Sequence, residues 1–517
     1  MNEYKQTAVA SKDFEEMVKR AVEELKPFFQ PKSIAVIGAS RKKNHPGQVV
    51  FKQLLEYHRK GLLKAKVYGV NIKGGELFGE KLYKRITDIP DDVDLAVIII
   101  PARFVPQAME DCGKKKVRCA IIISAGFSEI GNTELEEEVK RIAEKYNIRV
   151  MGPNCLGVYD AISYVDTLFV PQFKQLEGKD VLSLPRPKLG PILFYSQSGA
   201  LGAAVLDYMY GEEIGISKFV SVGNKMDIDE VDTLLWAKED PHVRVVMMYI
   251  EGLKAERARL FVEVAREFVK HKPLVILKGG KGGAAAARAV MSHTASMAGA
   301  WRVYEAAFKQ IGAIIADDLL KMLDAAKALA FQPPAAGKRI AIVTNGGGAG
   351  VLATDAAEAI GLEVPAPSEK VLNEFRKAQE EKLIVEFATF SNPFDLTGSA
   401  TDDSYLAAID IVMKSPEFDA VLVIGLHHVP TLSDKFVDKI CKLIRKYKKP
   451  VVAVDIGGAE YAKYVRARFD DYGIPAFPTP ERGIYALWSL VKYGQTLKKL
   501  GVFDEYIKKW KHVEVRQ

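Results

Sequence analysis

Cysteine is scarce in this chain. Its four copies, Cys112, Cys119, Cys155 and Cys441, share no CxxC spacing and have no histidine cluster nearby. That argues against a disulfide framework and a zinc site, and for a reducing compartment. Long apolar runs are missing too. The longest, such as Leu95 to Pro101, are strand-length and far short of a membrane span. The N-terminal residues are polar and charged, without the apolar core of a secretory signal, so a cytoplasmic protein with no membrane association is expected. Neither sign of charge dominates: the net is +7 over 517 residues, and acids and bases are interspersed. No stripe of basic and aromatic residues suggests a nucleic-acid groove, although the mild positive balance suits small anionic ligands.

What is present is an ordinary globular composition, 48% hydrophobic and 27% charged, in a length that makes roughly two to four domains. Phe14, Met17, Val18, Ala21, Val22 and Leu25 recur at helical spacing and predict an amphipathic lead-in helix up to Phe29. Strand-like runs follow at Ser33 to Ser40, Lys66 to Val70, Leu95 to Ile100, Ala120 to Ser124 and Ile148 to Met151. Helical patterns such as Thr133 to Tyr146 separate them. Leu182 to Gly190 reads as a connection. A second unit opens at Pro191 to Gly199, with strands at Phe219 to Val222, Val243 to Ile250 and Leu274 to Leu277. A linker around Pro333 to Gly337 leads to a third unit, with strands at Arg339 to Asn345, Ala420 to Gly425 and Val451 to Asp455 and a closing helix at Ile484 to Lys499. Strand and helix alternating at this rhythm predict α/β units with parallel, doubly wound sheets.

Each unit begins with a strand that runs into a small-residue turn and then a helix: Gly38-Ala39-Ser40, Ser196-Gln197-Ser198-Gly199, and Asn345-Gly346-Gly347-Gly348-Ala349-Gly350. Free N–H groups and the helix dipole make such starts anion sites, and glycine admits close approach. α/β proteins also use glycine there merely for tight connections. The first turn is not GxGxxG, and the second strand is followed by Lys73 rather than by an acid. A lysine suits a phosphate better than a ribose diol, which favours a phosphorylated nucleotide such as coenzyme A over a nicotinamide cofactor; the alternative is a solvated surface lysine. Glu251 stands at a strand's carboxyl end, where open α/β sheets keep their ligands. His293, in Ser292-His293-Thr294, follows the glycine-rich Lys278 to Gly283 segment, which reads as a hinge or as a close-packed turn. If Glu251 accepts one ring N–H of His293, the other nitrogen is left nucleophilic. Otherwise Glu251 caps a helix or pairs with a lysine.

Eight stretches in order carry a resemblance over nearly the whole chain: Pro31 to Ser40, Ser124 to Glu129, Gly152 to Gly157, Tyr195 to Gly202, Val222 to Lys225, Ser292 to Thr294, Asn345 to Gly350 and Asn392 to Gly398. The chain resembles the α subunit of NDP-forming acyl-CoA synthetases, in particular archaeal ADP-forming acetyl-CoA synthetases, relatives of succinyl-CoA synthetase. The resemblance implies a lead-in helix (1–28), a CoA-binding Rossmann domain (29–155) and two flavodoxin-like, succinyl-CoA-ligase-type domains (156–332 and 338–517). It implies that His293 is phosphorylated in turnover and that Glu251 steadies it. The helices after Ser196, Gln197, Ser198 and Gly199, and after Gly346, Gly347, Gly348 and Gly350, would hold the transferred phosphate. Gly38, Ala39, Ser40, Lys73, Pro101 and Asn154 are the expected CoA contacts, and no metal ligands are assigned. After the threonine the family usually has glycine; here it is Ala295, which stiffens the loop.

The implied reaction is acyl-CoA + ADP + phosphate to carboxylate + ATP + CoA, through acyl phosphate and phosphohistidine. The family's ATP-grasp nucleotide domain has no counterpart in this sequence, so a separate β subunit, an α₂β₂ complex and Mg²⁺ with the nucleotide on that subunit are expected. Two other readings are a succinyl-CoA synthetase α subunit and a non-catalytic CoA-binding regulatory protein. The third domain stands against the first; His293, Glu251 and the paired glycine turns stand against the second.

Overall fold

A computed structural model of the chain describes residues 11–282 and 301–512, in two compact units that divide at Ile311/Gly312. In the first unit the helix Ser11–Phe29 buries Phe14, Val18, Ala21, Leu25, Phe28 and Phe29, the face set by its apolar spacing. The Phe29 ring lies 4.3 Å from that of Trp236, on the helix Glu230–Glu239.

The first sheet is built from β1 (Ser33–Ile37), β2 (Lys66–Val70), β3 (Gly75–Leu77), β4 (Glu80–Tyr83), β5 (Leu95–Ile98), β6 (Cys119–Ile122) and β7 (Arg149–Met151). Their order is β3-β4-β2-β1-β5-β6-β7, all parallel except β3 against β4. The chain winds outward from β1 in both directions, which is the doubly wound order of a Rossmann sheet. β1, β5 and β6 are buried along their whole length, as expected of strands covered on both faces. Each fully buried Ile or Val there contributes about 1.5–3 kcal/mol.

The second sheet begins with an antiparallel strand, β8 (Gly157–Asp160), paired to β12. A separate hairpin follows, β9 (Phe173–Leu176) and β10 (Lys179–Leu182). Then come β11 (Leu189–Ser196), β12 (Ile216–Ser221), β13 (Val245–Ile250) and β14 (Leu274–Lys278). Within the unit the order is β14-β13-β11-β12-β8, so the first parallel strand lies between the second and third, as in flavodoxin-like sheets. The sheets are mostly parallel, as expected, with β3 and β8 as antiparallel edge strands. β8 is a short strand at the edge of the sheet, separated in sequence from its partner β12 by the hairpin, by β11 and by the helix Gly199–Gly211. The connection expected at Leu182 to Gly190 is shorter than expected: Leu182 ends β10, and Leu189 and Gly190 already belong to β11.

The second unit contains the short strand β15 (Ile314–Ala316) and a sheet of β16 (Ile340–Thr344), β17 (Thr389–Phe390), β18 (Phe394–Asp395), β19 (Ala420–Ile424), β20 (Val451–Val454) and β21 (Ala476–Phe477). The order β17-β18-β16-β19-β20-β21 repeats the flavodoxin pattern, with β17 antiparallel at the edge. The expected closing helix runs Pro480–Lys499, starting where Thr479 caps it and Pro480 fixes the first turn. Among the described residues no helix is long and apolar enough to cross a membrane.

Candidate functional site

In the first sheet the strand order reverses between β2-β1 and β1-β5, and the residues expected to meet CoA gather at that edge. Gly38 has φ +106°, and a Cβ there would come within 2.1 Å of the Ile99 carbonyl oxygen, so only glycine lets β1 end against β5. The Ala39 carbonyl accepts from Asn71 Nδ2 at 2.8 Å, and the Lys73 N–H donates to Asn71 Oδ1 at 3.0 Å. Arg41 donates from Nε to the Glu76 carbonyl at 3.1 Å and from Nη2 to that of Gly74. Gly38, Ala39, Ser40, Lys73 and, two residues past Ile99, Pro101 therefore share the carboxyl ends of β1, β2 and β5. Arg41, Lys42, Lys43 and Lys73 surround them with positive charge. That donor set fits a polyphosphate.

Asn154 lies further along the same carboxyl edge. It follows β7, in the left-handed region at φ 56°, where its N–H donates to Ser124 O at 2.9 Å and its Nδ2 to Asn224 Oδ1 at 3.3 Å. Three of the sequence's motif stretches meet there. Asn224 Nδ2 reaches Glu129 Oε2 at 2.7 Å, Glu136 Oε2 at 2.9 Å and Ser128 Oγ at 3.1 Å. Gly223, at φ +54°, is required because a Cβ would lie 2.2 Å from the Pro153 carbonyl oxygen. Burial acts to raise the Glu129 carboxyl, but the Asn224 amide and the N–H groups of Gly126 and Phe127 outweigh it and hold the carboxyl low.

The second switch point lies between β11 and β13. Ser196, Gln197 and Ser198 are all buried there. Ser198 opens the helix Gly199–Gly211, its hydroxyl accepting from Leu201 N, while Ser196 Oγ donates to the Ser198 carbonyl at 2.6 Å. Gln197 reaches across to the end of β13: its N–H donates to Tyr249 O at 3.0 Å, and its Oε1 accepts from Glu251 N at 2.7 Å and Gly252 N at 3.2 Å. Glu251 is 2% exposed, and its Oε1 accepts from the Tyr249 hydroxyl at 3.0 Å. Lys278 Nζ, at the end of β14, donates to the Glu251 main-chain carbonyl at 2.7 Å. Burial pushes that ammonium down to about 8, against the pull of Glu251 and with help from Lys225 and Lys281. Lys225 is itself buried, donating to Glu230 Oε1 at 2.7 Å and to Gly252 O at 2.6 Å.

His293, with Ser292 and Thr294, lies outside the described residues. At Lys278–Gly279 the described part of the glycine-rich segment is a close-packed turn: Gly279 N donates to Ile250 O at 2.8 Å, and a Cβ there would meet the Tyr249 hydroxyl at 2.6 Å.

In the second unit Gly346 caps the helix Gly347–Ala359 without any side-chain bond, and space beside Gly348 is open. A Cβ on Gly350 would touch Pro393 at 3.1 Å, so that glycine serves close packing. Sequence reasoning named Asn345 only as the start of the third turn and missed its clamp, in which Nδ2 donates to Leu426 O at 3.0 Å and Oδ1 accepts from Leu426 N at 2.9 Å. It also missed His427 and Asp455, paired at the ends of β19 and β20. Polar residues closing two apolar strand runs were the available signal.

A Rossmann-ordered sheet followed by two flavodoxin-ordered sheets, each opening on a small-residue turn and a helix, defines a CoA ligase of the succinyl-CoA synthetase type. Family models agree in the same order: a CoA-binding domain over residues 32–161, a succinyl-CoA-ligase-like flavodoxin domain over 189–329 and a ligase-CoA domain over 340–500. The chain is 40% identical to the α subunit of ADP-forming acetate–CoA ligase I of Pyrococcus furiosus, over 91% of this chain and 98% of that one. It is 38% identical to the ADP-forming acetate–CoA ligase of Methanocaldococcus jannaschii, over 94% of this chain and 65% of that longer protein. Among solved structures it is similar to the Candidatus Korarchaeum cryptofilum acetyl-coenzyme A synthetase 1, determined with phosphate and ADP. That match has a TM-score of 0.81, 38% identity and coverage of 95% of this chain and 99% of that one. The chain belongs to the family of ADP-forming acetate–CoA ligase α subunits.

Proposed function

We propose that this chain binds acyl-CoA and phosphate, makes the acyl phosphate, and carries its phosphoryl group on His293 to ADP held by a separate ATP-grasp subunit. The substrate is acetate or a comparable carboxylic acid, and the assembly is a cytoplasmic α₂β₂ complex with Mg²⁺ accompanying the nucleotide on the partner. In the direction of ATP synthesis, phosphate oxygen attacks the thioester carbonyl and CoA leaves as the thiol. A His293 ring nitrogen then takes the phosphoryl group, and the carboxylate leaves. Phosphohistidine finally gives the group to ADP.

The residues act by placing charge. The Gly38–Ser40 turn and Lys73 hold the CoA phosphates at the first switch point, and Pro101 and Asn154 contact CoA further along the carboxyl edge of the same sheet. The turns Ser196–Gly199 and Gly346–Gly350 each offer backbone N–H groups to phosphoryl oxygens, contributing about 1–2 kcal/mol per helix start. Glu251 accepts one ring N–H of His293 and offsets the positive charge that develops on the ring.

The observation that carries this reading is Glu251, fixed by Gln197 at the switch point of the second sheet, in a chain that covers 98% of a relative named as an α subunit. His293→Asn tests it. The variant should retain CoA binding and its unfolding midpoint, yet incorporate no label from acyl-CoA and labelled phosphate. Wild-type levels of acid-labile, base-stable label in the variant would defeat the assignment.

A further inference from the structure

Glu251 and Gly252 form a dipeptide whose main-chain polar groups are all held by side chains. Gln197 Oε1 accepts from both N–H groups, at 2.7 and 3.2 Å. Two ammonium groups take the carbonyls: Lys278 Nζ donates to Glu251 O at 2.7 Å, and Lys225 Nζ to Gly252 O at 2.6 Å. Both lysines are buried. A neutral donor would satisfy either carbonyl without the cost of burying a cation. Two buried cations on one dipeptide therefore point to a use for their charge.

The two lysines differ in what balances them. Lys225 has a carboxylate partner, with Nζ 2.7 Å from Glu230 Oε1. Among the described residues the Lys278 ammonium bonds only to the main-chain carbonyls of Glu251 and Gly279. The ring of Tyr304, on the helix Trp301–Ile311, lies against it, with the centroid 4.8 Å from Nζ. The charged groups that act on it are the Glu251 carboxylate after β13, Lys225 after β12, and Lys281 on its own segment. Only the first of these is attractive, so Lys278 and Glu251 are each other's counter-charge.

Their place in the sheet gives that pairing a task. β14, β13 and β11 lie side by side, with Lys278 opposite Ile250 and Tyr249 opposite Ser196. Lys278, Glu251 and the Ser196–Gly199 turn thus follow one another along a single carboxyl edge. A carboxylate that offsets a charged imidazole also repels a phosphate arriving at the neighbouring turn. A cation behind the carboxylate relieves that conflict. We propose that Lys278 is a positioning residue for the phosphoryl step, its ammonium fixing the Glu251 main chain and balancing the Glu251 charge against the incoming phosphate. This rests on the reading of Glu251 and His293 given above. Lys278 acts through Glu251, because its own N–H groups are directed at carbonyls and at a ring. Its ammonium is charged below a pKa of about 8 and neutral above it, so labelling should be fastest below that pH and fall as pH rises through it.

The test uses the chain co-produced with its nucleotide-binding subunit, supplied with acetyl-CoA and labelled phosphate but no ADP. Single-turnover labelling of His293 is followed at pH values on both sides of 8 in wild type, Lys278→Met, Lys278→Arg and Lys272→Met. The wild-type rate should fall through a midpoint near pH 8. Lys278→Met should be slower by about 10- to 100-fold below that midpoint, the range of a hydrogen bond to a charged group, and should lack the fall. Lys278→Arg, whose guanidinium stays charged, should give a level profile, which keeps the test decisive if the methionine variant does not fold. Lys272 is also pushed to about 8, but it stands at the opposite end of β14, where it donates to the carbonyls of Ala237 and Asp240. Lys272→Met should therefore keep both the rate and the fall. A wild-type profile that is flat across pH 8 overturns the proposal, as does a wild-type fall that persists in a folded Lys278 variant or disappears in Lys272→Met. Absence of labelling in wild type at every pH would instead defeat the ligase reading, and this inference with it.

Discussion

Gln197 holds Glu251 across the switch point of the second sheet, its Oε1 accepting from the backbone N–H of Glu251 at 2.7 Å and of Gly252 at 3.2 Å. Asn345 stands in the same relation to Leu426 in the second unit, with bonds of 2.9 and 3.0 Å. In both cases the carboxamide directly follows the first strand of the sheet and fixes the end of the third. The hydroxyl before it repeats as well: Ser196 Oγ donates to Ser198 O, and Thr344 Oγ1 to Gly346 O. The two flavodoxin-like sheets thus set the mouth of the crevice by one device, a hydroxyl and a carboxamide that anchor an otherwise loose turn.

Gln197→Leu should therefore do damage beyond its own volume. Two buried N–H groups would lose their acceptor, at a cost of about 1–3 kcal/mol. The end of β13 would no longer be fixed, so phosphorylation from acyl-CoA and phosphate should fall while CoA binding at the first sheet persists. Thermal unfolding and label incorporation measured on one preparation check both halves. A variant with unaltered stability speaks against the clamp.

Glu251→Gln separates orientation from charge. The amide still accepts from the Tyr249 hydroxyl, and the backbone N–H that Gln197 holds is untouched. On the proposed reading, what is lost is the negative charge that offsets the positive charge developing on His293. Single-turnover labelling of His293 should slow by about 100-fold, with little change in affinity for CoA. Equal rates in variant and wild type would remove Glu251 from the role.

The fold was legible where local pattern decides structure. Ser11–Phe29, Lys66–Val70 and Thr133–Tyr146 are helix, strand and helix as their periodicity predicts, because apolar spacing and burial agree there. The hairpin of β9 and β10 was not legible. Its eight residues include Phe173, Leu176 and Leu182, all exposed, and it pairs with neither sheet, so no inward-facing alternation marks it. β8 was missed because its direction is set by the loop before it, not by its own residues. Of the candidate site, the turns were visible as glycine and serine after apolar strands. Gln197 and Asn345 were visible as members of those turns, but their clamping of the third strand was not, since it depends on a strand some 50 to 80 residues away. The pairing of His427 with Asp455 is of the same kind: two polar strand ends that become neighbours only once β19 and β20 pair.

Lys278 supplies a pH signature. Its pKa of about 8 in the folded chain lies below the ~10.4 of an exposed lysine, as do those of Lys272 and Lys449, both pushed to about 8 by burial. The unfolded chain therefore binds more protons between about pH 8 and pH 10, and stability should rise with pH across that window. Lys278→Met lowers stability overall by stripping the Glu251 carbonyl of a donor, but it should also flatten the rise. Unfolding midpoints at several pH values from 7.5 to 10 give the slope, and a slope as steep in the variant as in wild type would contradict the shift.

The last prediction concerns what this chain does without its partner. On the proposed reading the three small-residue turns are taken, one by CoA and two by the transferred phosphoryl group, and none of them is left to cradle ADP. The sequence also holds no P-loop, and this chain covers 65% of the M. jannaschii relative. Alone, the chain should bind CoA and accept label on His293 from acyl-CoA and phosphate, because those steps are proposed to use residues of this chain only. It should make no ATP from acyl-CoA, phosphate and Mg-ADP, since the proposed reading leaves orienting the nucleotide for in-line attack to the separate subunit. Adding the nucleotide-binding subunit should restore ATP formation and discharge the label. Sustained ATP synthesis by the chain purified free of any other protein would mean that one of these turns, or a surface not considered for the task, binds the nucleotide after all.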